Sequence, residues 1–403
     1  PYAMAQLATQ IGIDLLNGLH TLVPAAPWLN VKQAVQLGPL FSSGPWRAVG
    51  WTPLCYYPFA IGLGFLMPLE MSFSCWFGFL LWKVQRVILE AHGIPSPWAG
   101  TSTSQEQVAG VWLAVALYAV WIGRGEWRRQ LRDPGTRWPL ALALGGFALM
   151  LGFAHAAGMT WGFAAVYWLI WLGFSTALSR MRAEFGPPCH DLYGAGPDRI
   201  LITWLGSAAF RPRDLTAMAS FYWTAREAAR SLPQPHQIEG LYLAGGRLPT
   251  RGIVPAMLAA ALIGAACTIW VVLHYGFVHG ADGQFMGPAW WFATEGFGRV
   301  DNWLLNPVKP SPAGQTAMVS ALGLSLLALA ARSRLLWFSF HPAGYAISSW
   351  WAIHFLWFPL LLAWLIKRLV IRIGGARAYA AWRPFFFGLV LGEFVVGSLW
   401  QIA

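Results

Sequence analysis

The sequence predicts an all-α fold, a polytopic helical transmembrane bundle with broken or re-entrant helices and one cytoplasmic loop subdomain. Three observations carry that prediction. Of 403 residues, 57% are hydrophobic and only 11% are charged, which is too apolar for a water-soluble domain of this length. Apolar runs of roughly 18 to 25 residues recur, the length a helix needs to cross the hydrocarbon core. Arginines gather in short segments beside those runs, as they do in loops retained in the cytoplasm. The net charge of +11 therefore reads as topology and not as affinity for nucleic acid.

Other features agree. The ten-residue alternation of an outer-membrane barrel is absent. Many of the 26 tryptophans lie at segment ends, where amphipathic rings sit at the headgroup level. Cys55, Cys75, Cys189 and Cys267 show neither paired nor metal-ligand spacing and imply no disulfide framework. The chain opens on Pro1 without a basic leader, and upstream sequence is expected to be missing.

The N-terminal part of the bundle covers 1–179. A helix over about 3–24 aligns Asp14, Asn17, Gly18 and Thr21 on one face by three- and four-residue spacing. A Pro- and Gly-rich loop, 25–51, leads to an apolar segment over 54–89 that carries Pro68 and Glu70 at its middle. Proline removes a backbone donor and clashes with the preceding turn, so this helix is expected to break just before Glu70. A carboxylate deep in hydrocarbon is expensive and normally faces a protein-lined or watery cavity.

Residues 91–107 lack Lys and Arg and suit an outer loop. A helix over 108–122 exits on Arg124, Arg128, Arg129, Arg132 and Arg137, a cytoplasmic signature. Helices over 138–153 and 159–178 form a hairpin that turns near His155. Residues 180–251, with nine arginines and six acids, make the cytoplasmic subdomain. Asp214 is expected to cap a helix reaching about Ser231. Cys189, His190, Asp191 and His236 lack metal-ligand spacing, and no metal is expected.

The C-terminal part covers 252–403, with helices over 253–275 and 316–331 separated by an outer loop, 276–313. The run over 335–366 has basic clusters on both flanks, Arg332 and Arg334 before it and Lys367, Arg368, Arg372, Arg377 and Arg383 after it. One crossing cannot satisfy both. Either a re-entrant hairpin turns at His341–Tyr345, where Pro342 and Gly344 interrupt the run, or the segment crosses twice. A last helix over 384–402 carries Glu393 and the pair Gly388 and Gly392, whose spacing lets another helix approach. Lys83 and Arg86, at the outward end of the first broken segment, violate this layout.

Two proline-interrupted apolar segments, one near each end, are the usual pointer to the central site of a transporter. The candidate substrate or ion pathway is Glu70, Ser74, Asp14, Asn17, His341, Tyr345 and Glu393. Glu70 leads, since a buried carboxylate can change charge as a cavity opens and closes; the competing role is to cap the second half-helix at its positive end. No nucleotide-binding glycine loop, nucleophile elbow or zinc-protease motif occurs, so an enzyme is not expected and no cofactor is named.

Several stretches carry a resemblance. They are Leu15-Leu16-Asn17-Gly18-Leu19-His20, Phe65-Leu66-Met67-Pro68-Leu69-Glu70-Met71-Ser72-Phe73-Ser74, Gly186-Pro187-Pro188-Cys189-His190-Asp191, Pro235-His236-Gln237-Ile238-Glu239, His341-Pro342-Ala343-Gly344-Tyr345-Ala346 and Leu391-Gly392-Glu393-Phe394 continuing to Trp400. Through them nearly the whole chain resembles a family of uncharacterised bacterial polytopic membrane proteins, and more distantly the oligopeptide transporter superfamily. In this resemblance the family members are longer at the N-terminus, and the chain is similar to their C-terminal two thirds. The resemblance implies proton-coupled uptake of small peptides or metal chelates; it carries over no residue roles.

The expectation is a multi-pass secondary transporter of the bacterial inner membrane, cation- or proton-coupled, for a small solute such as a peptide or metal chelate. Its partners would be the lipid bilayer and that solute, with further membrane subunits or a homo-oligomer left open. The alternative is a non-transporting structural or accessory subunit of a larger membrane complex.

Overall fold

The computed structural model describes residues 12, 15–20, 22–27, 35–94, 103–186, 192, 194–225, 232–245, 250–280 and 286–402. The architecture is an all-α bundle. Its only sheet among the described residues is a two-residue ribbon, β1 (Val35–Gln36) against β2 (Pro53–Leu54). Among the described residues five helices are long and apolar enough to cross a membrane: Ser104–Arg132, Pro134–Ala156, Trp161–Phe185, Gly252–Val278 and Pro312–Arg334. The apolar stretch Gly252–Val278 buries none of its length in protein. Such a helix would be untenable in water, whereas lipid solvates it.

The described residues fall into two compact units. The first draws on Pro1–Val111, Phe185–His190 and Ser320–Ala403, and the second on Trp112–Glu184 and Asp191–Val319.

In the first unit the break at Pro68 separates α1 (Pro58–Leu66) from α2 (Leu69–Ala91). Nine residues of α1 reach only about 14 Å, while the 23 of α2 reach about 34 Å, the length of a crossing, although α2 carries Glu70, Lys83, Arg86 and Glu90 and is not one of the five apolar spans. The second break is also present. Leu335 to Phe340 is not helical, α13 (Pro342–Ala346) is a single turn, and α14 (Trp351–Ile402) follows.

Here the structure corrects the expected boundaries. The basic stretch 367–383 is helical, so the helices placed at 335–366 and 384–402 are instead arms 351–374 and 376–402 of α14, joined at Gly375. Gly375 has φ +62°, a left-handed conformation that glycine adopts without steric cost. The chain folds back there: Ile61 and Phe65 of α1 share one core with Ala363 of the first arm and with Phe386 and Leu389 of the second. Phe65 stacks on Phe386 with ring centroids 3.6 Å apart.

The second unit contains the rest of α3 (Ser104–Arg132), α4 (Arg137–Ala156), most of α5 (Trp161–Phe185), the short helices α6 (Pro197–Leu205), α7 (Pro212–Ser220), α8 (Tyr222–Ala225) and α9 (Pro233–Ala244), and α10 (Thr250–His279). The expected outer loop 276–313 holds a 20-residue helix, α11 (Met286–Leu305), before α12 (Pro312–Arg334). Within 180–251, α6 and α7 bury Leu201, Ile202, Leu215 and Met218 in one core with Ala154, Met159, Tyr167 and Trp168 of the α4–α5 hairpin. Asp214 is not the expected N-cap. It lies in the first turn of α7, which ends at Ser220, and its carboxylate accepts from the Thr160 N–H at 2.7 Å, at the start of α5.

Candidate functional site

Breaking a helix strands backbone groups, and the first unit shows what replaces them. In an unbroken helix the residue at position 68 would donate to the Gly64 carbonyl; proline has no N–H, and the Ser72 hydroxyl donates there instead at 3.0 Å. The Met67 carbonyl, at the C-terminal end of α1, accepts from the Lys367 ammonium at 2.5 Å. Lys367 is buried, with its ammonium 4.7 Å from the ring centre of Tyr379 and attracted by the Glu70 carboxylate. Neither Ser72 nor Lys367 was singled out from sequence. Lys367 reads there as one more topogenic charge.

The two breaks meet at Ser74. Its hydroxyl donates to the Glu70 carbonyl at 2.5 Å and accepts the His341 N–H at 2.7 Å. His341 in turn caps α13, its Nδ1 accepting from the Ala343 N–H at 3.1 Å, which puts any proton of the neutral ring on Nε2. Gly344 lies so close that a Cβ there would overlap the Ser74 carbonyl, so only glycine permits this crossing.

Glu70 occupies the first turn of α2, where unpaired N–H groups favour a carboxylate. It therefore stands at the N-terminal end of a helix, as the break expected just before it implies. It is exposed to a cavity of about 590 Å³ whose walls include Phe73, Phe77, Trp337, Phe340, Trp364 and Arg368. The Arg368 guanidinium lies 5.0 Å over the Trp364 ring. One acid and one base thus face a chamber walled mostly by aromatic rings. It can hold a solute carrying both charges, or a proton or cation at Glu70.

The remaining predicted residues lie elsewhere. Tyr345 lines a second cavity, farther along α2, whose walls share only Phe340 with the first. Glu393 is half-buried on the second arm of α14, and Asn17 is half-buried near the N-terminus; neither lines either cavity. Asp14 lies outside the described residues, as do Cys189, His190 and Asp191. Among the described residues no group of three His, Cys, Asp or Glu side chains could hold a metal ion.

Against known proteins, residues 2–403 match DUF6785, a family of unknown function. The chain belongs to that family. No curated protein matches it, and no solved structure does.

In this DUF6785 chain the two cations that violated the expected topology, Lys83 and Arg86, are buried. The Lys83 ammonium donates to the carbonyls of Val49 (2.7 Å) and Trp51 (2.9 Å), clamping the 44–52 strap over α2. Trp51 stacks on Trp351, and the Trp357 indole donates to the Pro53 carbonyl. Charge counting assumes that a cation beside an apolar run is solvated; Lys83 is instead spent on backbone carbonyls, and Arg86 is buried with its guanidinium 5.1 Å from the Trp82 ring centre. Lys83→Met is expected to leave both carbonyls without their charged donor, at about 1.5–3 kcal/mol. Since 1.4 kcal/mol is about a factor of ten, trypsin should cut after Arg47 at least about tenfold faster than in the wild type. An unchanged cutting rate would show that the strap is held by its aromatic contacts alone.

Proposed function

We propose that the chain is a multi-pass secondary transporter of a bacterial inner membrane, coupled to a proton or cation, with Glu70 as the titrating or cation-binding group. The observation that carries this reading is the chamber containing Glu70 and Arg368, built where two interrupted helical segments cross at Ser74. A membrane protein that needed only an anchor would gain nothing from keeping opposite charges on an aromatic-walled cavity. The pairing of charges suits a small zwitterionic solute such as a peptide, or a charged metal chelate. The resemblance to the oligopeptide transporter superfamily points the same way, although the comparisons add no link to it.

Proteoliposomes carrying an internal pH dye test the proposal. An inward gradient of dialanine, or of a ferric hydroxamate chelate in a parallel arm, should acidify the lumen of wild-type vesicles. Glu70→Gln should abolish that signal while inserting normally. Full acidification by Glu70→Gln would remove the proposed role of Glu70, and no flux of either solute in wild-type vesicles would remove the proposed substrates.

The second reading, a non-transporting subunit of a larger assembly, is favoured by the stretch Gly252–Val278, which buries nothing within this chain and exposes Leu262, Ile263 and Trp270. Extraction from native membranes in mild detergent separates the two. Stoichiometric partner chains together with absent flux would favour the subunit.

A further inference from the structure

We propose that the cavity at Tyr345 is a second binding site, for an uncharged lipid-like molecule with a hydroxyl or amide head that enters sideways from the hydrocarbon. The cavity measures about 350 Å³, within the range of small-molecule sites. Leu81, Val111, Leu324, Ala328 and Phe340 supply an apolar wall, and Gln85, Gln107 and Tyr345 supply polar groups that converge. The Tyr345 hydroxyl is 2.6 Å from Gln85 Oε1 and 2.5 Å from Gln107 Oε1.

A phenol has one proton, so it donates to one amide oxygen and is satisfied at the other contact only if that amide turns its NH₂ toward it. Each amide then keeps a further donor or acceptor for an occupant. Among the described residues no carboxylate, lysine, arginine or histidine lines this space. A charged solute would lose its hydration there without a countercharge, whereas a hydroxyl or amide head can both give and take a hydrogen bond.

The rim sets the route. Leu81 on α2 and Leu324 on α12 are 42% and 67% exposed, and α12 is one of the helices long and apolar enough to cross a membrane. An apolar rim on such a helix admits a molecule already dissolved in the bilayer, with no passage through water. The site is separate from the Glu70 chamber and stands whether or not that chamber carries solute.

Photolabelling in lipid nanodiscs with a diazirine-bearing octanol, followed by peptide mass mapping, tests it. Label is expected at Leu81, Val111, Leu324 or Phe340, displaced by excess monoacylglycerol and not by octanoate or glycerol. Ala321→Trp, which fills the cavity, should lower that labelling by about tenfold or more. Tyr345→Phe, which keeps the volume and removes one hydroxyl, should lower it by about fivefold with elution of the protein unchanged. Displacement by glycerol would overturn entry from the bilayer, and displacement by octanoate would overturn the preference for an uncharged head. Label confined to lipid-facing residues such as Leu262 and Phe277, or equal at the cavity in wild type and Tyr345→Phe, would overturn the site itself.

Discussion

Lys367→Met should destabilise the first unit by about 1.5–3 kcal/mol, the range for a buried hydrogen bond from a charged donor, because the Met67 carbonyl is left without its ammonium. The same substitution takes away the positive charge that attracts Glu70. A double-mutant cycle with Glu70→Gln separates these contributions. If Lys367 serves only the Met67 carbonyl, the two changes add; if the pair is coupled, the double variant loses less than the sum. Reversible unfolding in mixed micelles gives the readout. Wild-type stability for Lys367→Met, within about 0.5 kcal/mol, would mean that the freed carbonyl finds water and that the lysine is not what holds the break open. Lys367→Arg is not expected to rescue, since a planar guanidinium does not reproduce a compact ammonium aimed at one carbonyl.

Gly344→Val should cost at least about 1–3 kcal/mol, because its Cβ would overlap the Ser74 carbonyl and force the two breaks apart. Separation also strips His341 N–H and Ser74 Oγ of each other. Ser74→Ala removes the hydroxyl without the steric push and should cost about 1 kcal/mol. If valine proves no worse than that alanine, the crossing tolerates movement and the clasp at Ser74 is not a rigid joint. Hydrogen exchange over residues 339–346, which should rise in Gly344→Val and little in Ser74→Ala, reports the same event locally.

Much of this architecture is written in local rules. Composition and apolar run length give a helical membrane bundle, Pro68 marks the first break and Pro342 opens the single turn after the second, whereas Pro255, Pro359 and Pro384 sit inside helices without ending them. Glu70 stood out for a similar reason, as an ionisable group in the wrong solvent. The helix hidden in 276–313 did not stand out, since its glycines and prolines resemble loop punctuation when packing is unknown.

Partnership is a different matter. Nothing near Ser74 announces that it will meet His341, 267 residues away, and nothing near Lys367 marks it as the donor to Met67 and not a cytoplasmic charge. Lys83 shows the same thing from the other side: a charge rule built on solvated loops misreads a cation that turns inward to meet carbonyls. The hairpin of α14 at Gly375 depends on α1 filling the space between its arms. Propensity and hydrophobicity act over one or two turns and are legible residue by residue. Which stranded carbonyl meets which donor, and which cavity results, is settled when distant segments compete for the same dry space, where an unmet polar group costs more than most local preferences can offset.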